Sequence, residues 1–470
     1  MKLKSINPVN GQILAQFSTH TDQEIEERLK LSHKAWTVYR KSSFRDRAEK
    51  MHLLAQLLDE QNESIARLMT LEMGKPIQSG RDEVKKCALT CRFYAESAKS
   101  FLSPEEVTLK GKTARIEFHS QGPVLAIMPW NFPFWQVFRF AAPTVMAGNT
   151  GLLKHASNVP QCALKIEELF LRAGFAQGVF QTLLVESARM DSIIADPRIT
   201  AVTLTGSEEA GRKVAAQAGR NLKKTVLELG GSDPFIVMPS ADLALAVEIA
   251  VKAKLINNGQ SCIAAKRFII EKSIYPEFES RFISKMKEIK MGDPMDESVQ
   301  LGPLATADIT QTVDEQVKLT ISLGAKCLLG GHRPNSGPNS GPNSGPYCEG
   351  NFYPATVLTE IPERSPAGHD EIFGPVASLF RAQNLADAVE IANQVPFGLG
   401  SSVWTTNSSE QAEFARDLQC GQVFINEMVS SDPHLPFGGV KNSGYGRELG
   451  RFGIREFVNI KTIVIADPSR

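Results

Sequence analysis

Hydrophobic and polar positions divide the 470-residue chain into a helical N-terminal part and a longer alternating part. Residues 47–75 and 82–100 carry apolar side chains at helical spacing, which predicts amphipathic helices. Ahead of them, Thr21 with Glu24 three residues later forms a capping-box pattern that predicts the start of another helix. Cys87 and Cys91 lie one helical turn apart, so we expect both to face the core.

From about residue 122 the pattern changes to short runs rich in Val, Leu and Ile, such as "GPVLAIMPW", "ITAVTLTGS" and "KTVLELGG". Helical stretches lie between them, including "PQCALKIEELFLRAG", which begins at Pro160 and ends at Gly174. Strand and helix in repeated alternation predict an α/β fold with a parallel sheet covered on both faces. The helix over "SADLALAVEIAVKAKLINNG" is predicted to stop at Gly259. "KRFIIEK", "GPVASLFRA" and "GQVFIN" then predict a second α/β domain.

Two segments depart from this alternation. "VTLKGKTARIEFH" alternates around a Lys-Gly-Lys turn and predicts a hairpin or arm rather than a core strand. Residues 334–346 are three tandem copies of a turn-forming tetrapeptide, "PNSGPNSGPNSGP". Because its side chains offer nothing to bury, we expect a mobile surface loop there, without a binding role.

Charge and cysteine usage exclude several classes of partner and site. Lys plus Arg and Asp plus Glu are both 52, so the chain as a whole gives no electrostatic reason to expect nucleic acid or an anionic membrane as a partner. The seven cysteines are scattered, no CxxC pair occurs and the eight histidines are dispersed, so neither a disulfide framework nor a metal site is expected. The N-terminus lacks an apolar signal core and no run of 18 apolar residues occurs. We expect a cytoplasmic protein.

Three side chains stand out as candidates for chemistry. Cys262 in "NNGQSCIAAK" is either a small buried hydrophobe or a nucleophile on a loop between two rigid elements. Asn131 lies in "MPWNFPFW", where two prolines stiffen the backbone, and either donates to an oxyanion or satisfies its own turn. Glu228 ends an apolar strand and is followed, after Leu229, by two glycines. A carboxylate there is costly unless it is solvated, paired or functional, and burial would raise its pKa.

The motifs "PWNFP", "TGS", "ELGGSDP", "NNGQSC", "EIFGPV" and "PFGGVKNSGYGRE" resemble, in order and spacing, those of the aldehyde dehydrogenase superfamily. The resemblance spans nearly the whole chain and is closest to succinate semialdehyde dehydrogenases of the NADP-preferring type. It implies a Rossmann-like parallel-sheet cofactor domain, a second α/β domain with the nucleophilic cysteine, and a small β oligomerisation arm. The implied ranges are 1–102 and 122–231 for the cofactor domain, 232–448 for the catalytic domain, and 103–121 and 449–470 for the arm of a homodimer or homotetramer.

What the resemblance implies for the reaction is oxidation of an aldehyde to an acid through a cysteine thioester. Cys262 matches the family's nucleophile, Glu228 its general base and Asn131 its oxyanion amide. The residue types suit this chemistry, because a thiolate adds to the aldehyde carbon, an amide stabilises the oxyanion, and a carboxylate deprotonates the hydrolytic water. Glu448 in "GRE" matches a second carboxylate near the water path, whose role the motif does not define.

The cofactor site lacks a GxGxxG fingerprint, but "TGSEEAG" places Gly206 and Ser207 at a helix N-terminus, which suits a phosphate. Many NAD-using relatives carry Glu where this chain has Ser157, and Lys154 lies three residues earlier. Losing the carboxylate favours NADP over NAD, unless Ser157 has no effect on cofactor choice and the protein uses both cofactors. Glu371 and Phe373 match the residues that hold the nicotinamide ribose. The resemblance adds two further cofactor-binding candidates, Trp130 and Leu229.

On the substrate side, Arg139 lies eight residues after Asn131, where relatives acting on succinate semialdehyde have a carboxylate-binding Arg. Some relatives carry a second Arg six residues before the catalytic Cys, and here that position is Ile256. Further substrate-binding candidates are Trp135, Ser430 and the adjacent Ser431.

Other functions remain open at this point. A broader-specificity aliphatic aldehyde dehydrogenase would share the same motifs, and a CoA-acylating relative would transfer the acyl group to a thiol, although Glu228 favours hydrolysis. A thiolase-like or protease-like enzyme would need a partner His, and no His lies close in sequence to Cys262 or Glu228. A non-catalytic structural member would be expected to lack Cys262 or Glu228, and both are present.

Overall fold

The structure, a computed structural model, describes residues 2–110, 112–334 and 350–466. The tandem repeat predicted to be a mobile loop lies outside the described residues, apart from Pro334. In the described ranges, no helix combines the length and apolar character needed to cross a membrane.

The strands in chain order are β1 Lys2–Ile6, β2 Ile13–Ser18, β3 Glu105–Leu109, β4 Lys112–Ser120, β5 Pro123–Met128, β6 Thr150–His155, β7 Phe180–Thr182, β8 Ala201–Thr205, β9 Lys224–Glu228, β10 Pro234–Val237, β11 Arg267–Glu271, β12 Lys326–Leu329, β13 Thr356–Thr359, β14 Val376–Ala382, β15 Phe397–Gly398, β16 Gly400–Trp404, β17 Gln422–Ile425, β18 Val440–Lys441, β19 Gly444–Tyr445 and β20 Val458–Ala466.

The α-helices in chain order are α1 Asp22–Tyr39, α2 Phe44–Glu60, α3 Asn62–Met73, α4 Ile77–Phe101, α5 Trp135–Met146, α6 Pro160–Arg172, α7 Met190–Ala195, α8 Glu208–Arg220, α9 Leu243–Leu255, α10 Tyr275–Lys287, α11 Ala307–Ser322, α12 Pro366–His369, α13 Leu385–Asn393, α14 Ser408–Asp417 and α15 Gly450–Arg455.

The first sheet has the order β19-β9-β8-β5-β6-β7, and β5 to β9 within it are parallel. From β5 the chain winds outward through β6 and β7 on one side, then returns to build β8 and β9 on the other. The strand order therefore reverses between β5 and β8, and a crevice opens at their carboxyl ends, where doubly wound folds bind ligands. A late segment, β19, adds an antiparallel edge strand beside Glu228.

The second sheet has the order β12-β13-β14-β11-β10-β16-β17 and is parallel apart from the β12–β13 pair. Its central strands are buried along their whole length; β11 and β16, for example, are buried at every residue. Strands buried on both faces need helices on each side, and separate hydrophobic clusters lie on the two faces of this sheet. The prediction of two parallel α/β sheets is confirmed.

A third, three-stranded antiparallel sheet consists of β20, β4 and β3. It confirms that "VTLKGKTARIEFH" forms a hairpin, and it shows that the C-terminal strand joins it. Several of its apolar side chains are exposed to solvent in the single chain: Val107, Leu109, Ile460, Val464 and Ile465.

The predicted N-terminal helices are present with local adjustments. Thr21 and Glu24 form the predicted reciprocal cap at the start of α1. Cys87 and Cys91 are fully buried on α4, as expected. The long helical pattern over 47–75 is in fact two helices, α2 and α3, which are separated at Gln61.

The prediction that the helix before the cysteine loop stops at Gly259 is wrong, because α9 ends at Leu255. A short 3-10 turn covers Ile256–Gly259, and within it Asn257 and Asn258 adopt left-handed φ values of 54° and 60°. Asparagine tolerates this region better than most residues. The Asn258 side-chain amide also donates to the carbonyls of Gly74 and Pro303, at 2.9 and 3.0 Å, so tertiary bonds hold a turn where periodicity alone suggests a helix.

Candidate active site

The candidate active site lies where the carboxyl edge of the first sheet meets the amino edge of the second. Asn131 follows β5 and Glu228 ends β9, whereas Cys262 precedes β11 and Glu371 precedes β14. The two sheets thus contribute opposite strand ends to one place. Residues that are far apart in sequence are brought together there.

The backbone of the cysteine loop is tightly fixed. The Lys266 ammonium donates to the carbonyls of Ser261 and Cys262, each at 2.7 Å. From the other side Gly231 approaches so closely that an added Cβ would lie 2.7 Å from the Cys262 carbonyl oxygen. The position of the Cys262 thiol is therefore set by its neighbours rather than by the loop alone.

Burial raises the pKa of the Cys262 thiol to about 12, although the positive charges of Arg139 and Lys266 oppose the shift. The resting thiol is therefore protonated at neutral pH. Because the thiolate is the reactive form, the Cys262 thiol must lose its proton before it attacks a substrate, and additional positive charge nearby would lower its pKa.

The Asn131 side chain lies directly against the cysteine loop. Its amide nitrogen donates to the Gln260 carbonyl at 3.1 Å, two residues before Cys262. The Asn257 amide in turn donates to the Asn131 and Gln260 carbonyls, at 2.7 and 3.0 Å. These bonds lock the stiff Pro-bracketed turn to the loop, and the second hydrogen of the Asn131 amide nitrogen can serve another acceptor.

Glu228 is 2% exposed, and neither of its carboxylate oxygens has a hydrogen-bond partner within the described residues. The pKa of this carboxyl is raised well above its ordinary value, chiefly by burial and further by the negative charge of Glu448, while Arg139 opposes the shift. The carboxylate packs against Gly438, where an added Cβ would lie 2.8 Å from its Oε1 atom. A carboxyl with a raised pKa is a stronger base once it is ionised.

Arg139 is 2% exposed and forms an ion pair with the buried Glu448. Its guanidinium also lies over the Phe437 ring, 4.5 Å from the centroid, and donates to the Thr205 hydroxyl at 3.4 Å. Burial raises the pKa of Glu448 even beside Arg139. The predicted substrate-binding Arg therefore already has an anionic partner from the chain itself.

A cavity of about 640 Å³ leads from solvent to Cys262 and Arg139. Cys262 lines it, and so do all the predicted substrate residues, namely Arg139, Trp135, Ser430 and Ser431, together with Ile256. Asn131 and Glu228 are not among its described lining residues. The structure thus gathers the thiol and the predicted substrate residues around one cavity.

Sequence reasoning did not identify Lys86, which also lines this cavity. It lies on α4, its ammonium donates to the Ser431 hydroxyl at 2.7 Å, and it stands 4.4 Å from the centroid of a Trp135 ring. A lysine beside core positions of an amphipathic helix ordinarily indicates a solvated boundary, so the sequence carries no signal of this role.

A buried carboxylate fixes the start of α5, the helix that carries Trp135 and Arg139. Glu83 accepts the backbone N–H groups of Phe134 and Trp135, both at 2.9 Å, and its other oxygen pairs with the buried Lys75. A carboxylate at a helix N-terminus is favoured by the helix dipole. Glu83 thereby determines where α5 begins and which side chains it turns into the cavity.

Predicted cofactor residues cluster at the strand-order reversal between β5 and β8. Trp130 follows β5, and Gly206 follows β8, where its N–H donates to the Glu228 carbonyl at 3.0 Å. Ser207 caps α8 through its hydroxyl, which accepts the N–H of Ala210 at 3.3 Å. The N-terminus of α8 therefore lies at the carboxyl end of β8, beside this crevice, the arrangement that suits a pyrophosphate.

The adjacent β6 edge carries the residues predicted to select between the two cofactors. Lys154 is buried at the end of β6, burial lowers its pKa, and it makes no ion pair within the described residues. Ser157 is exposed just beyond it. Leu229 packs against α8, where a Cβ at Gly211 would lie 2.7 Å from its methyl groups. A buried lysine without a counterion fits a ligand that brings its own negative charge.

The residues predicted to hold the nicotinamide ribose are connected to the nucleophile. Glu371 pairs with Lys266 at 2.9 Å, and Lys266 is the residue that binds the Cys262 carbonyl. Phe373 packs edge-on against Trp130, with ring centroids 5.7 Å apart. Sequence reasoning missed Lys266, although its position four residues after Cys262 was a usable signal.

Comparison with known proteins agrees with this geometry. The sequence profile of the aldehyde dehydrogenase family matches residues 1–463. A Synechocystis protein named as a probable NADP(+) succinate-semialdehyde dehydrogenase is 50% identical over 466 residues, covering 99% of this chain and 100% of its own. A Mycobacterium leprae protein named as an NADP(+) succinate-semialdehyde dehydrogenase is 50% identical over 469 residues, covering 99% and 100%.

Solved structures show the same fold. The succinic semialdehyde dehydrogenase of Streptococcus pyogenes, in complex with NADP+, superposes with a TM-score of 0.95 at 35% identity, covering 99% of this chain and 100% of that one. The protein Gox0499, described in terms of cofactor and substrate selection, superposes with a TM-score of 0.94 at 36% identity, covering 98% and 99%.

Proposed function

The chain belongs to the aldehyde dehydrogenase family, and on that premise we propose that it oxidises succinate semialdehyde to succinate, with NADP+ as its preferred hydride acceptor. The observation that carries the proposal is the placement of Cys262 on the wall of the cavity between the two sheets, beside a crevice that suits a dinucleotide. NAD+ is expected to serve less well.

In the proposed reaction the Cys262 thiol loses its proton to water, and the resulting thiolate adds to the aldehyde carbon and forms a thiohemiacetal oxyanion. The Asn131 amide donates to that oxyanion, and the fixed loop backbone adds to its stabilisation. The bound nicotinamide supplies the redox step by accepting a hydride. Loss of that hydride from the aldehyde carbon leaves a thioester on Cys262.

Hydrolysis of the thioester falls to Glu228, which takes a proton from water as the water attacks the acyl carbon. The bond between the acyl carbon and the Cys262 sulfur then breaks, the acid leaves, and the thiolate is restored. Burial favours this role, because a carboxyl with a raised pKa holds the transferred proton better. Glu371 and Phe373 would orient the nicotinamide ribose, and Lys154 with Ser157 would accommodate the 2′-phosphate.

A panel of aldehydes assayed with both cofactors tests the proposal. Succinate semialdehyde with NADP+ should give the highest kcat/KM, and free succinate should be the product with or without added coenzyme A. Equal turnover of butanal and succinate semialdehyde would favour a broader-specificity aliphatic enzyme. Formation of succinyl-CoA would identify a CoA-acylating enzyme instead.

A Glu228→Gln variant separates acylation from hydrolysis. It should produce a burst of reduced cofactor of about one equivalent per active site, followed by slow turnover, because hydride transfer does not need the carboxylate but deacylation does. Full steady-state turnover in this variant would remove Glu228 from the role of general base.

We propose the domain boundaries that the resemblance implies. They are 1–102 with 122–231 for the cofactor domain, 232–448 for the catalytic domain, and 103–121 with 449–470 for the oligomerisation arm. Exposed apolar residues on the third sheet support the arm as the surface that forms a homodimer or homotetramer. The cysteines described by the structure are unpaired, which supports a location in the reducing cytoplasm.

A further inference from the structure

Three basic side chains line the cavity that holds Cys262: Lys86, Arg139 and Lys252. They differ in how strongly water or a carboxylate partner already neutralises the charge that each could offer to a ligand. Lys252 is exposed on α9, where water screens it. Arg139 is buried but paired with Glu448, so that pair carries little net charge toward a ligand.

Lys86 is half-buried and makes no ion pair with any carboxylate within the described residues. Its contacts in the cavity are with neutral groups, the Ser431 hydroxyl at 2.7 Å and the face of Trp135 at 4.4 Å. An ammonium has three N–H donors, and these contacts leave one of them for a ligand. Because the Ser431 hydroxyl accepts from Lys86, its own hydrogen is also free to be donated.

We propose that Lys86 and Ser431 bind the carboxylate of the aldehyde substrate, so that Lys86 is the cation that selects a semialdehyde over a neutral aldehyde. This assignment rests on the proposed function. Lys86 supplies a cation for the carboxylate, which Ile256 does not, and it does so from a helix that lies far from the cysteine loop in sequence. Arg139 then acts mainly on the charges of Glu448 and Glu228.

The groups that face Lys86 are compatible with binding an anion. Arg139 on α5 adds positive charge. Glu83 on the same helix is held by Lys75 and two backbone N–H groups, and Asp432 on the neighbouring loop is engaged by His434. Burial, with a smaller contribution from Arg139, lowers the pKa of Lys86 to about 8, while Cys87, Asp432 and Glu83 oppose the shift. The ammonium is mostly protonated at neutral pH.

The carboxylates on the rim do not block access to Lys86. Asp82, Glu248 and Glu297 line the cavity but are exposed, so solvent and salt screen their repulsion of an incoming anion. Inside, Trp135 and Phe437 provide apolar wall for the short carbon chain between the carboxylate and the aldehyde. A charged anchor at one end and a thiol at the other define a semialdehyde site.

The test compares Lys86→Met, Lys86→Arg and Lys85→Met, using succinate semialdehyde and butanal with saturating NADP+. Lys85 is the matched control, because it is the neighbouring residue on the exposed face of α4 and does not line the cavity. Methionine keeps the length of the side chain and removes the charge. Thermal unfolding of each variant reports whether the fold is retained.

Lys86→Met should raise the KM for succinate semialdehyde about 10- to 100-fold, as for loss of one bond between charged groups, with a much smaller change in kcat. The KM for butanal should change far less in Lys86→Met. Lys86→Arg should restore part of the affinity for succinate semialdehyde, and Lys85→Met should have the same KM values as the unmodified enzyme. Equal losses on both aldehydes, or an unchanged KM for succinate semialdehyde, would overturn the assignment. An unmodified enzyme without preference for the semialdehyde would overturn the proposed function itself.

Discussion

Arg139, which lines the catalytic cavity, forms a buried ion pair with Glu448, and the Glu228 carboxyl shares their surroundings. Arg139 is therefore the cation that most strongly opposes the raised pKa of both carboxyl groups. Because few water molecules can screen charges at this depth, a change in any one of the three alters the protonation of the others.

The first prediction concerns this shared charge. Glu448→Gln removes a negative neighbour and should lower the pKa of Glu228, so the rise of kcat with pH should move to lower pH by roughly one unit in a deacylation-limited reaction. Arg139→Met removes the positive neighbour of Glu228 and should move the rise of kcat to higher pH. Full pH–rate profiles with butanal, which avoids any carboxylate effect, measure both shifts; shifts of the same sign would contradict the arrangement.

The second prediction concerns the resting thiol. With a pKa of about 12, Cys262 is almost entirely protonated at neutral pH, and only the thiolate reacts with iodoacetamide. Its alkylation rate should therefore increase nearly tenfold per pH unit from about pH 7 to about pH 10. Mass spectrometry of the Cys262 peptide follows the reaction. The Cys262→Ala variant gives the background alkylation of the other cysteines, and it should fold normally and lack dehydrogenase activity. A plateau near pH 8 would show an activated thiol.

The third prediction concerns cofactor choice. Ser157→Glu should weaken NADP+ binding by a few kcal/mol, because the new carboxylate repels the 2′-phosphate, with a smaller effect on NAD+. Ser157→Ala is the matched control and should change NADP+ binding far less, since it removes a hydroxyl without adding charge. Titration calorimetry of both cofactors against both variants measures the difference. Similar affinities for NADP+ and NAD+ in the unmodified enzyme would refute the preference.

The fourth prediction follows from the pKa of Lys86, which is about 8. Its positive charge is present below that pH and is lost above it, so carboxylate recognition should weaken as pH rises. The ratio of kcat/KM for succinate semialdehyde to that for butanal should fall above about pH 8, because the chemistry of the thiol and of Glu228 is common to both substrates. Lys86→Met should give a low ratio at every pH, and Lys86→Arg should move the fall to higher pH. A ratio that is independent of pH in the unmodified enzyme would contradict the role of Lys86.

The sequence by itself determined the fold class and much of the identity of the site. Local patterns are readable from sequence: the capping box correctly indicated the start of α1, and hydrophobic spacing correctly indicated the buried faces of α4 and strands such as β5, β8 and β9 of the first sheet and β11, β14 and β17 of the second. The motifs around Asn131, Glu228 and Cys262 were recognisable because a few consecutive residues shape each turn. Periodicity failed at Gly259, since the turn from 256 to 259 is held by bonds to distant carbonyls rather than by its own spacing.

Only the tertiary structure decided which charged and polar side chains lie next to each other. Lys86 and Ser431 are 345 positions apart, and their contact depends on how α4 packs beside α5 and the loop that follows β17. The Arg139–Glu448 pair and the bonds from Lys266 to the cysteine loop likewise join separate elements. Hydrophobic spacing shows which face of an element is buried, but not which polar group of another element lies against it. The free charge and the pKa of each site residue therefore follow from burial and partners that exist only in the folded chain.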